Sequence, residues 1–150
     1  AAEVAVRYRL GPHISDRAYF GLDALVNGTF KDAVLEQIRS YGAKAGLVIN
    51  PDIPVERLFP HLKNCDFVML MSVFAGFGGQ KFIEDTYSRI RTLKAEIEAQ
   101  GLDIPIEVDG GVSASNAAQL VASGAEILVA GSAVFKADDP ASVISQMRCI

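Results

Sequence analysis

Four short runs of almost unbroken apolar residues recur along the chain: "AKAGLVIN" (43–50), "DFVMLMSV" (66–73), "DIPIEVDG" (103–110) and "AEILVAGS" (125–132). Continuous apolar character over so few residues predicts strands buried on both faces. The segments between them switch to a helical period. "FKDAVLEQIRSYG" sets Phe30, Val34, Leu35 and Ile38 on one face and stops at Gly42, and "TYSRIRTLKAEIEAQG" does the same with Tyr87, Ile90, Leu93, Lys94 and Ile97 before Gly101. "SASNAAQLVASG" opens on serines suited to an N-cap and closes on Gly124, and "VERLFPHLKN" predicts a shorter helix interrupted by proline. The order is β-α-β-α-β-α-β.

Alternating buried strands and amphipathic helices predict a parallel sheet with right-handed crossovers, either open and doubly wound or curled into a (β/α) barrel. The regular repeat favours the barrel. "AAEVAVRY" at the front reads as one more strand, while residues 9–29, "RLGPHISDRAYFGLDALVNGT", lack clean periodicity and read as loop with a helical turn. The expectation is a single α/β domain over residues 1–150, a TIM-type (β/α) barrel that is incomplete. About five of eight β/α units are recognisable, where a closed barrel takes about 250 residues. Edges left open beside "AAEVAVRY" and "ILVAG" would invite pairing, so a homo-oligomer is expected.

Composition removes several function classes. The chain is 50% hydrophobic and 21% charged, with net charge −4 and no lysine or arginine run, so no nucleic-acid partner is expected. No apolar run approaches the roughly 18 to 20 residues that span a bilayer, and the N-terminus lacks a signal-peptide layout, so the expectation is a cytoplasmic protein with no membrane partner. Cys65 and Cys149, far apart and without a histidine at ligand spacing, fit reduced thiols.

In parallel α/β architectures chemistry gathers at the carboxyl ends of strands. Three of the four runs end there in glycine: "GFGGQ" (76–80), "DGG" (109–111) and "GS" (131–132). Glycine lets backbone N–H groups approach a ligand closely, and a helix N-terminus adds partial positive charge, so such turns suit a phosphate group without any lysine. Tight strand-to-helix turning alone also accounts for glycine. Asp109, between "IPIEV" and two glycines, is a candidate acid/base or metal ligand, or else a turn or capping aspartate. Glu107 is expected on the opposite side of the strand and receives no catalytic role. Of the two histidines, His61 is expected on a surface helix, and His13 lies in the loop after the first strand.

"MSVFAGFGGQKF", "IEVDGG" and "ILVAGSAVF", in this order and together with "AKAGLVINPDIPVE", resemble the ribulose-phosphate 3-epimerase family over about residues 24 to 136. The resemblance implies a (β/α) barrel that interconverts ribulose 5-phosphate and xylulose 5-phosphate, with the quoted blocks as its fifth to eighth strands. It implies that the loop containing Gly76, Phe77, Gly78 and Gly79 closes over a sugar phosphate, and that the turns at Gly110, Gly111, Gly131 and Ser132 hold its phosphate. Met71 would line the pocket beside the reacting carbons. Asp109 would be one of two acid/base groups and a ligand to a divalent ion of the zinc, iron, manganese or cobalt class. The chain departs from the pattern in two places. The family's other aspartate and its metal-binding histidines have no counterpart in residues 1 to 40, and Phe74 and Ala75 stand where asparagine and proline are usual. The alternative is therefore a catalytically inactive phosphate-binding or structural homologue.

Overall fold

A computed structural model describes residues 3–5, 17–21, 32–74 and 80–150. Its centre is a six-stranded parallel sheet of β1 (Glu3–Ala5), β2 (Arg17–Gly21), β3 (Lys44–Ile49), β4 (Phe67–Met71), β5 (Ile106–Asp109) and β6 (Ile127–Val129), in the spatial order β1-β6-β5-β4-β3-β2. Helices α1 (Asp32–Ser40), α2 (Thr86–Ala99), α3 (Ala114–Ser123), α4 (Ser132–Phe135) and α5 (Pro140–Arg148) and a 3-10 helix (Val55–Asn64) connect and follow the strands.

That strand order separates the two predicted architectures. From β2 to β6 each strand lies beside its predecessor, so right-handed crossovers all deliver their helices to one face of the sheet. A doubly wound sheet reverses direction and covers both faces. Here β1 pairs instead with the last strand, Glu3 opposite Ile127 and Ala5 opposite Val129. First-against-last pairing is how a barrel closes on itself. The fold is α/β of the (β/α) barrel type, and among the described residues no pairing joins β1 to β2.

One expectation needs correcting. The stretch 9–29, read as loop, contains β2, which pairs with β3 from Arg17 opposite Lys44 to Gly21 opposite Val48. Among the described residues the sheet thus has six strands where about five were expected. "RAYFG" is short and carries an arginine and a glycine at its ends, so neither unbroken apolar character nor alternation marks it; pairing with β3 supplies what local pattern does not.

The helix-covered face carries the core: Ala45, Leu47 and Ile49 of β3, Val68 and Leu70 of β4, Ile106 and Val108 of β5, and Leu128 of β6. Against these pack Leu35 of α1, Tyr87, Ile90, Leu93 and Ile97 of α2, and Ala117 and Leu120 of α3. The predicted helix stops hold, with Gly42, Gly101 and Gly124 all at positive φ. Val55, Leu58 and Leu62 bury the 3-10 helix, whose interior contains Pro60. The alternate strand positions, among them Phe67, Met69, Glu107, Ile127 and Val129, are buried on the other face, the inside of the barrel. Gly46 belongs to this face, and a Cβ there would overlap the Phe67 ring.

The amino ends of the strands are fastened by Asp66. Its Oδ2 accepts from the Ala45 N–H at 2.7 Å and from Arg39 Nε at 3.0 Å, while Arg39 Nη2 donates to the Asn64 carbonyl at 2.6 Å. Burial pushes the Asp66 carboxyl up, but the Ala45 N–H and the Arg39 guanidinium, with Lys44 adding to them, outweigh it and hold the group below its ordinary value. A lowered folded pKa stabilises the fold above the unfolded value of about 3.9 and is lost as pH falls through the folded value. Asp66→Asn is therefore expected to cost about 1 kcal/mol at pH 7 in urea melts. The gap to wild type should shrink below pH 4; a gap independent of pH would count against this assignment.

Candidate active site

The carboxyl ends of β4, β5 and β6 lie level. Met71 is opposite Asp109 and Asp109 opposite Val129, and one step deeper Val48, Met69, Glu107 and Ile127 form the next row of the inner face. Met71 and Asp109 are both partly buried at this rim. The two strand-end residues singled out from the sequence are thus direct neighbours on one surface. Glu107, expected on the opposite side of β5, shares the face of Asp109, because residues two apart on a strand point the same way. It is 1% exposed and lies one layer beneath the rim.

The turn after β5 is built around close backbone contact. Gly110 and Gly111 have φ of +118° and +64°, and a Cβ on Gly110 would sit 2.9 Å from the Val73 backbone nitrogen. No other residue fits both the conformation and the space. Ser72, fully buried, holds the turn from the β4 side: its N–H donates to the Asp109 carbonyl at 2.8 Å, and its Oγ lies 2.9 Å from that same oxygen and also reaches the Gly110 carbonyl. From the α3 side, Asn116 accepts from the Ser113 N–H at 2.9 Å and donates to the Gly111 carbonyl at 3.0 Å. With these carbonyls occupied, the geometry of the turn is set before any ligand arrives.

The turn after β6 is different in kind. Gly131 has φ −99° and ψ −86°, and a Cβ there would meet no protein atom within 4 Å beyond its chain neighbours. Packing there does not call for glycine. Gly131 and Ser132 are both exposed at the start of α4. Gly76, Phe77, Gly78 and Gly79 lie outside the described residues, as does His13. The chain on either side of the glycine loop is joined at two levels, Gln80 Nε2 to the Phe74 carbonyl at 2.6 Å and the Ile83 N–H to the Ser72 carbonyl at 3.0 Å.

Arg89 is the main residue that sequence reasoning missed. It is 7% exposed, and its Nη2 donates to the carbonyls of Asn50 at 2.9 Å and Ile53 at 2.8 Å, bolting the segment after β3 to α2. Burial pulls its pKa down, opposed by the nearby carboxylates Asp85, Asp52 and Glu56. Those acids line a cavity of about 360 Å³ between residues 51–56 and the first half of α2, with Arg89 in its wall. This cavity does not include Asp109, and its negative charge serves as counter-charge to Arg89. A signal was present: Arg89 follows Thr86 by three and precedes Leu93 by four, which places it on the buried stripe of α2.

The model of the ribulose-phosphate 3 epimerase family matches residues 24–135. The chain belongs to this family. Ribulose-phosphate 3-epimerase from Escherichia coli K12 is 44% identical over 117 residues, covering 78% of this chain and 52% of that protein. The enzyme from Synechocystis is 46% identical over 112 residues, 75% of this chain and 49% of its own. The chain spans about half the length of the curated relatives it matches. Among solved structures, 3-hexulose-6-phosphate synthase from Salmonella typhimurium superposes with a TM-score of 0.61 at 16% identity, over 89% of this chain and 60% of that one. A mutant tryptophan synthase alpha-subunit from Pyrococcus furiosus gives 0.54 at 23%, over 77% and 46%. Both are (β/α) barrels, and at such identities the likeness is one of fold.

The epimerase-family resemblance implies a divalent ion on Asp109. Among the described residues no three His, Cys, Asp or Glu side chains lie together as a metal site. The register neighbours of Asp109, Met71 and Val129, offer a thioether and an alkyl group. His61 is on the 3-10 helix that descends to the amino end of β4, away from the Asp109 rim. These residues do not fit such an ion, and the chemistry derived for Asp109 does not use one.

Proposed function

We propose that the protein acts on ribulose 5-phosphate as a sugar-phosphate 3-epimerase, interconverting it with xylulose 5-phosphate, with Asp109 as an acid/base at carbon 3. The observation that carries this reading is the register Met71–Asp109–Val129, which sets the carboxylate at the rim from which the 110–111 and 131–132 turns both start, one strand apart. Backbone N–H groups of those turns are suited to a phosphate dianion, leaving the ketose chain to lie over Asp109 and Met71.

Carbon 3 lies next to the ketone at carbon 2, so its proton is acidic enough for a positioned carboxylate to remove. The electron pair moves into an enediolate, and a second acid that returns a proton to the opposite face inverts the centre. Asp109 serves one face.

Gly131→Ala tests the phosphate subsite directly. The new methyl group meets no protein atom beyond its chain neighbours, so stability should stay within about 1 kcal/mol of wild type. Affinity for ribulose 5-phosphate is expected to fall about tenfold or more, as the methyl group keeps the dianion off the amides. Unchanged affinity, measured by titration calorimetry, would remove this turn from the site. Phosphate-dependent thermal stabilisation of wild type without proton exchange at carbon 3 would instead favour an inactive phosphate-binding homologue.

A further inference from the structure

The peptide between Gly110 and Gly111 has no side chain on either flank. Glycine opposes backbone rotation least, so such a unit turns over readily, exchanging the directions of its C=O and N–H. The orientation decides its chemistry: one presents a donor to an anion, the other a carbonyl oxygen that repels it. Something outside the two glycines has to select between them. Ser72 is placed to do so. It is fully buried and held at both backbone groups, its N–H donating to the Asp109 carbonyl at 2.8 Å and its carbonyl accepting from the Ile83 N–H at 3.0 Å. Its Oγ reaches the carbonyls of Asp109 and Gly110. A hydroxyl has one proton to give. The Asp109 oxygen already accepts the Ser72 N–H, so that proton goes to the Gly110 carbonyl, which has no other donor among the described residues.

We infer that the Ser72 hydroxyl is a positioning group for phosphate, aiming the Gly111 N–H by holding the Gly110 carbonyl; this rests on the sugar-phosphate reading of the site. In a planar trans peptide the C=O and N–H point in opposite directions. With the Gly110 carbonyl drawn toward β4, the Gly111 N–H points away from β4, to the side of β5 on which β6 and the 131–132 turn lie. Gly111 is exposed, and its N–H has no partner among the described residues. Ser72 therefore touches no substrate and acts through the backbone it holds. One residue serves two tasks with separate groups: its N–H continues the β4–β5 ladder to Asp109, and its hydroxyl fixes the peptide beyond it.

The test compares wild type, Ser72→Ala and Ser72→Cys at a temperature where melts show each to be folded. Cysteine nearly keeps the volume and offers a weak donor, so it serves if alanine prevents folding and measures partial rescue if it does not. The Kd for inorganic phosphate and for ribulose 5-phosphate is expected to rise about tenfold in Ser72→Ala and by less in Ser72→Cys. The effect on Kd should exceed that on proton exchange at saturating ribulose 5-phosphate, because the Ser72 N–H still holds the Asp109 carbonyl. In NMR spectra the Gly111 amide resonance should shift on adding phosphate to wild type and shift less in the variants. A folded Ser72→Ala with lower Tm but unchanged phosphate affinity would make the hydroxyl merely structural and overturn the inference. An effect confined to the exchange rate would overturn it too, placing the action of the hydroxyl on Asp109. Wild-type protein whose Gly111 resonance responds to neither ligand would overturn the phosphate reading of this turn, and the inference with it.

Discussion

Asp109→Asn is expected to lower the rate of deuterium uptake at carbon 3 of ribulose 5-phosphate by about 10²- to 10⁴-fold, the usual worth of a positioned general acid/base. An amide has nearly the shape of the carboxyl and leaves the Asp109 carbonyl bonded to Ser72, so the turn and its affinity for inorganic phosphate should be preserved. The loss then falls on turnover rather than on binding. Deuterium uptake and epimer formation report different things. Uptake needs one base on one face, the role proposed for Asp109, whereas xylulose 5-phosphate forms only when a proton returns to the other face. Following both by NMR in D2O separates the role of Asp109 from the completeness of the reaction. An Asp109→Asn variant that exchanges as fast as wild type would remove Asp109 from the chemistry.

The largest effect on stability is expected at Arg89. Arg89→Ala removes the cation that satisfies the carbonyls of Asn50 and Ile53 and leaves Asp85, Asp52 and Glu56 without their common counter-charge. Against this stands the cost of keeping the guanidinium buried, with Nη1 lacking a hydrogen-bond partner. Hydrogen bonds from a charged donor contribute about 1.5 to 3 kcal/mol each, and the relief of desolvation offsets part of the pair, so a net loss of about 3 kcal/mol is expected. In a chain of this size that lowers Tm by roughly 10 °C. Both bonds come from the single nitrogen Nη2, so a lysine ammonium can replace much of their work. Arg89→Lys is expected to cost about 1 kcal/mol. Thermal melts of the two variants decide the matter: an alanine variant within 0.5 kcal/mol of wild type would show that the segment after β3 holds its place without the bolt.

These residues also mark how far local pattern reaches. The buried stripe of α2, the glycine stops at 42, 101 and 124, and the strand end at Asp109 follow from which residues are apolar and where glycine interrupts them. Asp109 was legible as a candidate because it is an acid at the carboxyl end of a buried strand, although a turn or capping aspartate has the same local pattern. Glu107 was misread although the information was present: a period of two assigns it to the face of Asp109. Arg89 was hidden by its charge, since a cation on an amphipathic helix ordinarily sits toward solvent, and only the convergence of two carbonyls in space explains its burial. Ser72 and Asn116 were hidden for a similar reason, because serine and asparagine near turns are common and their partners are set by distant strands and loops.

The amino-acid sequence by itself determined the kinds of element, most of their limits and the family to which the chain belongs, since propensity and apolar period act between residues near one another along the chain. Tertiary structure alone decided that β1 stands against β6, that residues 17–21 form a strand, and that winding runs in one direction from β2 to β6. It also decided which residues adjoin Asp109. Pairing between strands depends on backbone hydrogen bonds and buried faces contributed by residues tens of positions apart, and no local pattern encodes which partner is met.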